Sequence, residues 1–293
     1  MQEMMLARAK ALLQSGDVQR VLGWQTGEFV YDVTPAVFET AEELDAKFVY
    51  NDFCGSNLSK YLVKESRKEG RVLVFLKPCD TYSFNQLIKE HRIARENIYV
   101  IGVPCAGKTD GETLKALGLK GILGVKDAGD SFTVETLYGE KTVSKQEALP
   151  ERCRSCKSHK HMVYDELLGE EGEVLDSHRF DMVEKIESMS ADERFAFWQG
   201  ELSRCIRCNA CRNVCPACTC EKCVFDNENS GIAQKAAADS FEESMFHIIR
   251  AFHVAGRCTD CGECSRVCPQ HIPLHLLNRK FIKDINTFYG AYQ

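Results

Sequence analysis

The chain has 293 residues, a formal net charge of −6, a hydrophobic fraction of 44% and sixteen cysteines. This length suits one large or two medium domains. The negative charge, with no basic cluster, argues against nucleic-acid binding. No apolar run is long enough to predict a membrane span, and the charged N-terminus does not look like a secretion signal. We therefore expect a cytoplasmic protein, and cysteines at this density in a reducing compartment favour metal ligation over disulfides.

Two apolar runs in the first part of the chain predict neighbouring parallel strands. RVLVFL (71–76) and NIYVIGV (97–103) each lead into a loop and then a helix-compatible segment. Strand–loop–helix repeats form parallel sheets, and the loops that follow the strands share one edge of the sheet. Both runs end in Pro-Cys, so Cys79 and Cys105 are predicted to meet at the edge where open α/β folds bind ligands.

The loop after the second run, GVPCAGKT (102–109), also matches the Gly-x4-Gly-Lys-Thr pattern of phosphate-binding loops. Pro104 lacks one of the N–H groups that such a loop uses, and Asp110 begins a turn where the phosphate-binding helix should start. No apolar run ends in the aspartate that would hold magnesium. We therefore predict that Cys105 is the functional residue of this loop. Lys108 has a secondary interpretation, as a cation near an anionic cluster or a flavin phosphate.

A Cys-x2-Cys pair, Cys153 and Cys156, follows these strands. With Cys54, Cys79 and Cys105 it gives five thiols in the first part of the chain. Four of them would complete a [4Fe–4S] site, and the sequence does not identify the spare. A lone cysteine is usually just buried, but two Pro-Cys strand ends and a Cys-x2-Cys pair make a set of unrelated cysteines the weaker interpretation.

Two copies of one ligand motif dominate the last part of the chain. CIRCNACRNVCP (205–216) and CTDCGECSRVCP (258–269) both read Cys-x2-Cys-x2-Cys-x3-Cys-Pro. In this spacing three thiolates bind one [4Fe–4S] cluster and the fourth binds the other cluster. The predicted ligand sets are Cys205, Cys208, Cys211 and Cys268 for one cluster, and Cys258, Cys261, Cys264 and Cys215 for the other. Zinc, the alternative metal, uses paired Cys-x2-Cys motifs and needs no third and fourth cysteine at this spacing.

The end of the first motif overlaps CPACTCEKC, which adds Cys218, Cys220 and Cys223. These thiols could bind a fourth cluster or a zinc ion with one further ligand, or lie beside the first cluster. The segment between the two motifs, 217–257, is long and largely helix-compatible. With it, the region 205–283 resembles the dicluster ferredoxin domains of the C-type subunits of heterodisulfide reductases and of succinate dehydrogenase iron–sulfur subunits. The resemblance implies a protein that passes electrons within a multi-subunit complex.

Three features of the first part carry a second resemblance: GVPC (102–105), Cys153-x2-Cys156 and the following Asp165. With them, residues 15–170 resemble the beta subunits of the coenzyme F-420 (deazaflavin) reducing hydrogenases and formate dehydrogenases. That resemblance implies one [4Fe–4S] cluster beside a flavin, FAD or FMN, which exchanges electrons with the cluster chain of a partner enzyme. The chain departs from that family in the shorter length of this part and in the ferredoxin domain that follows it.

The histidines give no further ligand set. His159-x-His161 is the one paired spacing, and it lies in a polar stretch. We expect both side chains to be solvated, and His271 and His275 in the last helical segment to face solvent or a partner.

Together, these patterns predict an α/β domain with a parallel sheet over residues 1–190 and a mainly helical dicluster ferredoxin domain over 191–293. The boundary is placed at Ser190 and Glu193, whose spacing predicts a helix-starting capping box. We expect an iron–sulfur electron-transfer subunit of an anaerobic redox complex with at least three [4Fe–4S] clusters. Its expected partners are a flavin subunit of heterodisulfide reductase type, a hydrogenase or a formate dehydrogenase. The alternatives are a subunit that reduces a deazaflavin or nicotinamide at its own flavin, and a zinc-binding scaffold.

Overall fold

The structure, a computed structural model, describes residues 1–175, 178–226 and 240–291, with the side chain of Ser240 left out. The chain divides into two compact units, Met1–Ser177 and His178–Gln293. Residue 190, where the sequence analysis places the boundary, lies within the second unit. There Ser190 and Glu193 form the expected capping box at the start of a helix.

The first unit alternates strands and helices. Its helices among the described residues are α1 (Gln2–Ser15), α2 (Ala41–Lys47), α3 (Leu62–Glu65), α4 (Pro78–Lys89), α5 (Gly111–Ala116), α6 (Lys145–Ala148) and α7 (Glu151–Arg154). Its strands there are β1 (Arg20–Thr26), β2 (Val33–Phe38), β3 (Val72–Leu76), β4 (Ile98–Gly102), β5 (Ile122–Asp127), β6 (Ser131–Thr136), β7 (Gly139–Ser144) and β8 (Glu166–Leu167).

Five strands form a mixed sheet in the order β2-β1-β3-β4-β8. Strands β1, β3, β4 and β8 are parallel, whereas β2 is antiparallel to β1. The two predicted strands form the centre of the sheet, where β3 and β4 pair from Val72↔Ile98 to Leu76↔Gly102. All five residues of β3 are buried, as expected for a strand that is covered on both faces. The parallel sheet is therefore correct for the centre, and wrong for the antiparallel edge strand β2.

A second sheet, with the strand order β5-β6-β7, is antiparallel and was not predicted. It covers a small core of its own that includes Phe132, Val134 and Leu149. Buried and less buried residues alternate along β6, and the first four residues of β7 are exposed. A sheet that buries one face leaves no continuous apolar run in the sequence, which is why the search for apolar runs missed it.

The second unit consists of helices and turns in the part that the structure describes. The helices are α8 (Asp181–Glu187), α9 (Ala191–Leu202), α10 (Ala210–Asn213), α11 (Ser240–Val254), α12 (Glu263–Arg266) and α13 (Leu274–Tyr289). The predicted helical character of this region agrees with them. Part of the predicted helical insertion, residues 227–239, lies outside the described residues. None of the helices described is both long and apolar enough to span a bilayer.

Candidate iron–sulfur centres

The first predicted ligand set lines a single cavity in the second unit. The cysteines around this cavity are Cys205, Cys208, Cys211 and Cys268. Phe246 and His247 of α11 also line it. The first motif therefore supplies three thiols to the cavity, and the fourth comes from the end of the second motif, as the spacing predicts.

The second predicted set gathers around Cys215. Burial is the largest cause that raises the pKa values of Cys258, Cys261 and Cys264, and the charge of the Cys215 thiolate raises each of them further. Charges influence one another in this way only at short range. Cys215 thus lies among the thiols of the second motif, and each motif has its fourth cysteine in the other motif's set.

The two motifs repeat their backbone as well as their sequence. In the first motif, Arg207 and Asn209 have φ angles of 55° and 59°, and Asn209 precedes α10. In the second, Asp260 and Gly262 have φ angles of 60° and 70°, and Gly262 precedes α12. These residues lie at the same positions between successive cysteines. The left-handed conformation turns the chain sharply, and it therefore lets closely spaced thiols share one site.

Helix α11 brings buried polar groups to the thiols. His247 and Arg250 are 2% and 3% exposed. Within the described residues, the two ring nitrogens of His247 have no hydrogen-bond partner, and the Nε of Arg250 has none either. Buried donors without partners are rare and costly in folded proteins. Beside two thiol sets, they fit an anionic group that accepts hydrogen bonds, as a [4Fe–4S] cluster does.

The surroundings of His247 and Arg250 determine their charges. Burial and two nearby cations, Arg250 and then Arg207, lower the pKa of His247 to about 3. Burial lowers the pKa of Arg250, but the thiolates of Cys215, Cys264 and others raise it by more, so that it lies above its ordinary value. These surroundings favour the neutral imidazole for His247 and the guanidinium cation for Arg250.

The extra thiols Cys218, Cys220 and Cys223 have different surroundings. Cys218 is one of the thiolates that raise the pKa of Arg250. Burial lowers the pKa of Arg212, but Asp226 and Cys223 raise it by more, so that it lies above its ordinary value. Cys220 is exposed. Among the described residues these three sulfur atoms do not lie within 4.8 Å of one another, which a single zinc ion with thiolate bonds of about 2.3 Å would require. The described geometry therefore offers no zinc site made from all three.

Four of the five thiols of the first unit meet at the carboxyl edge of the mixed sheet. Cys79 lies in the first turn of α4, directly after β3, and Cys105 lies in the loop after β4. Burial, then the Asp80 carboxylate, raises the pKa of Cys79 well above its ordinary value, and the charges of Cys105 and Cys156 raise it further. Burial also raises the pKa of Cys153; Arg152 lowers it and Cys105 raises it.

Cys54 is set apart from these four. It is fully buried in the main core of the first unit, where its sulfur accepts a hydrogen bond from the Asn51 N–H (3.2 Å). Burial raises its pKa to about 11, and the charges that act on it most strongly are those of Lys108, Lys77 and Asp52. No cysteine appears among these strongest influences, so Cys54 has the surroundings of the spare thiol.

Comparisons with known proteins agree with this arrangement. Residues 201–272 match the family model described as a 4Fe-4S dicluster domain. Over 95% of its length, the chain is 25% identical to the F420-dependent formate dehydrogenase subunit beta of Methanocaldococcus jannaschii, and the match covers 88% of that protein. Over 96% of its length, it is 24% identical to the F420-dependent formate dehydrogenase 1 subunit beta of Methanococcus maripaludis, with 89% of that protein covered. The chain is thus similar to these beta subunits over nearly its whole length, and residues 201–272 match a 4Fe–4S dicluster domain.

The resemblance predicted from GVPC and the Cys-x2-Cys pair is thereby confirmed, and it extends beyond residues 15–170. The match spans 95% of the chain, so it includes the dicluster region, which is not the departure from the family that the sequence analysis supposed. One solved structure, of the F420-reducing [NiFe] hydrogenase complex from Methanosarcina barkeri, is 16% identical with a TM-score of 0.43, covering 52% of this chain and 58% of that chain. The dicluster match identifies the clusters of the second unit as [4Fe–4S] rather than zinc.

The polar groups of the phosphate-loop pattern are used inside the first unit. The Lys108 ammonium donates to the carbonyl oxygen of Asn51 (2.9 Å) and lies 3.8 Å from the Asp52 carboxylate. The Thr109 hydroxyl donates to a backbone carbonyl at 2.6 Å. The Asp110 carboxylate accepts a hydrogen bond from the Thr113 N–H, in the first turn of α5, at 2.7 Å. A nucleotide phosphate would have to displace these contacts, so the structure agrees with a turn at this point.

His161, which was expected to be solvated, and His275, which was expected to face solvent or a partner, are both buried. His161 is 5% exposed, with its Nδ1 2.7 Å from a Glu171 carboxylate oxygen and its Nε2 3.2 Å from the Val103 carbonyl oxygen. His275 is 7% exposed, with its Nδ1 2.8 Å from the Ser265 hydroxyl. The expectation of a solvated side chain is wrong for His161, and His275 does not face solvent. Each ring is held by polar neighbours that lie ten or more residues away in the sequence.

Proposed function

We propose that this chain is the iron–sulfur electron-transfer subunit of a formate dehydrogenase-type or hydrogenase-type complex. The observation that carries the proposal is the gathering of twelve of the sixteen cysteines into three sets of four, two in the second unit and one in the first. When bound, a [4Fe–4S] cluster takes up and releases an electron. The chain's own residues supply the thiolates, exclude water from the sites and surround the sulfur atoms with charges and hydrogen-bond donors.

The ligands follow from this grouping. One dicluster site uses the cavity set Cys205, Cys208, Cys211 and Cys268. The other uses Cys258, Cys261, Cys264 and Cys215. The third cluster uses Cys79, Cys105, Cys153 and Cys156. Its support is the mutual influence of these thiols at one sheet edge, which Cys54 does not share.

The relatives suggest the partners. Two of them are named as beta subunits of F420-dependent formate dehydrogenases, and we propose that this chain likewise works beside a formate-oxidising or hydrogen-oxidising subunit. A flavin subunit of heterodisulfide reductase type is a further proposed partner. None of the sixteen cysteines, all of which lie among the described residues, forms a disulfide. This suits a reducing compartment, and we propose the cytoplasm.

The alternative in which the chain reduces a deazaflavin or nicotinamide at its own flavin is not favoured. Lys108 was the one side chain suggested for a flavin phosphate, and its ammonium is held by Asn51 and Asp52. The two functions differ in composition. A relay should contain about twelve irons, at four per cluster, and no flavin, whereas a flavoenzyme should release close to one flavin per chain on denaturation.

Anaerobic iron counting on matched cysteine variants tests the third cluster. Cys105→Ser should lower the iron content from about twelve to about eight per chain, at four per cluster, and leave the electron paramagnetic resonance signals of the reduced dicluster unchanged. Cys54→Ala is the matched control, because it removes a buried thiol of the same unit and should retain all the iron. If Cys105→Ser keeps its iron, or if Cys54→Ala loses a cluster, the ligand set of the first unit is wrong.

A further inference from the structure

One helix of the second unit presents a buried polar face to both thiol sets of the dicluster. Glu243, His247 and Arg250 lie at four-residue and three-residue intervals along α11, which places them on one side of the helix. They are 1%, 2% and 3% exposed. Charged and polar side chains are almost never this buried unless they are paired or bound. Glu243 pairs with Arg207 at 3.7 Å. Ligating the clusters requires neither His247 nor Arg250, so the burial of these two side chains needs another explanation.

Arg250 lies between the two thiol sets. Its Nη2 donates to the carbonyl oxygen of Cys211 (3.1 Å), in the first set. The thiolates of Cys215 and Cys264, which belong to the second set, are the anions that act on it most strongly. Among the described residues it pairs with no carboxylate, and its Nε has no acceptor. A buried cation is strongly unfavourable unless negative charge lies close to it, and two anionic clusters would supply such charge.

His247 faces only one of the sets. It lines the cavity of Cys205, Cys208, Cys211 and Cys268. One of its ring nitrogens lies within 4.8 Å of the Cys205 sulfur and of a Glu243 carboxylate oxygen. An imidazole carries at least one N–H in either protonation state. No described residue accepts a hydrogen bond from this ring, so its N–H is free to donate to a sulfur atom of that cluster.

We propose that this face of α11 sets the reduction potentials of the dicluster, with Arg250 as a counter-ion shared by both clusters and His247 as a hydrogen-bond donor to the first cluster alone. Reduction adds an electron and makes a thiolate-bound cluster more negative. A nearby cation and an N–H directed at sulfur stabilise the reduced form more than the oxidised form, and both raise the potential. Arg250 thus raises the reduction potentials of both clusters, whereas His247 raises only that of the first cluster and so makes the two potentials differ. This inference rests on the proposed pair of [4Fe–4S] clusters.

The test is an anaerobic potentiometric titration of the full chain, followed by electron paramagnetic resonance. In Arg250→Gln, which keeps an N–H donor for the Cys211 carbonyl, both dicluster potentials should fall by at least a tenfold change in the reduction equilibrium constant, which is about 59 mV for a one-electron couple. Arg250→Lys retains the charge and should stay close to wild type. His247→Phe should lower one dicluster potential and leave the other in place.

Controls on the same unit separate tuning from general disturbance. His253→Phe removes an exposed histidine of α11, and Lys280→Met removes a surface charge of α13 whose side chain is 39% exposed; neither should move a potential. Unchanged potentials in Arg250→Gln, equal shifts in Arg250→Gln and Arg250→Lys, or a shift of both clusters in His247→Phe would each overturn the inference. Loss of iron from every α11 variant would assign this face to cluster assembly and overturn it as well. The wild-type iron count is independent of these shifts, and a count below about eight, at four per cluster, would instead overturn the proposed clusters themselves.

Discussion

The buried ion pair at the start of α4 should be among the most sensitive features of the first unit. The Lys77 ammonium is 2.7 Å from Asp80 Oδ2 and 2.8 Å from the Ser56 carbonyl oxygen, and it lies 4.7 Å from the centre of the Trp24 ring. The two charged side chains are 2% and 0% exposed. Lys77→Met leaves Asp80 as a buried charge without its cation, and breaking a buried pair in this way costs about 3–5 kcal/mol.

A pair of similar length at the surface is the matched control. Lys145 and Asp127 are also 2.7 Å apart, but their side chains are 17% and 46% exposed. Exposed pairs contribute only about 0–1 kcal/mol, so Lys145→Met should destabilise the first unit much less. The pairs match in length and in ionic chemistry, so the difference between the two variants reports the burial of the first pair together with its hydrogen bond to Ser56.

Tryptophan fluorescence in urea provides the assay. The chain has two tryptophans, and a Trp198→Phe background leaves Trp24, fully buried beside Lys77, as the reporter of the first unit. Midpoint and slope together give the change in unfolding free energy. Iron is counted in the same samples, because Cys79 lies between the two charged residues. If Lys77→Met costs no more than Lys145→Met, the pair does not hold this end of the helix.

The pH dependence of the same difference gives an independent check. Burial lowers the pKa of Lys77, but Asp80 and the nearby thiolates raise it by more, so that it lies above the ordinary value of 10.5 in the folded protein. A raised lysine pKa stabilises the folded state fully below the unfolded pKa, and the stabilisation is lost as the pH rises through the folded pKa. The destabilisation by Lys77→Met should therefore be constant between neutral pH and about 10, just below the unfolded pKa, and shrink above it.

Two further variants test local features of each unit. Glu187→Gln should destabilise the second unit by about 0.5–1 kcal/mol, because Glu187 on α8 pairs with Lys280 (2.8 Å) and with Lys283 on α13. Those lysines lower the pKa of Glu187 below its ordinary value of 4.5. The loss of unfolding free energy in the variant, read from Trp198 fluorescence, should therefore be full above pH 4.5 and vanish as the pH falls through the lowered pKa. A loss that persists in acid would contradict the pairing. Asp110→Ala should cost about 1 kcal/mol through loss of the α5 cap, and Mg-ATP should not shift the melting temperature of wild type or variant; stabilisation by the nucleotide would restore the phosphate-loop interpretation.

The parallel centre of the sheet could be predicted because burial on both faces leaves a continuous apolar run in the sequence. Val72–Leu76 and Ile98–Gly102 both carry that signal, and the Pro-Cys that follows each strand then locates the thiols. The sheet of β5, β6 and β7 could not be predicted in this way, because its polar residues face outward. The burial of His161 could not be predicted either, because its partners are distant in the sequence. Its ring contacts the Val103 carbonyl and the Glu171 carboxylate, and the polar stretch around it does not indicate them.

The cluster ligands and their supporting residues differ in how the sequence encodes them. Each dicluster motif can be recognised in the sequence because its cysteines have a fixed spacing, which lets three neighbouring thiolates bind one cluster. His247 and Arg250 have no such spacing, and sequence alone shows them as polar residues on a helix. The sequence signal for them was the spacing of Glu243, His247 and Arg250, which places all three on one face of the helix. The buried apolar residues Phe246 and Val254 lie on the same face. A polar stripe within an apolar face indicates that the helix covers something polar.

That polar stripe also bears on how the second unit holds together. In the proposed ligand sets each cluster takes thiolates from both motifs, so each one would join two segments that residues 217–257 separate in the sequence. Cross-links of this kind restrict the unfolded chain, and the free energy of metal binding becomes folding free energy when the site is absent from the unfolded state. The buried guanidinium of Arg250 opposes folding when the clusters are absent and favours it when they are present. Removal of iron should therefore loosen α11 from α10 and α12 before it disturbs the contacts between α8 and α13, which include ion pairs and involve none of the cluster thiolates.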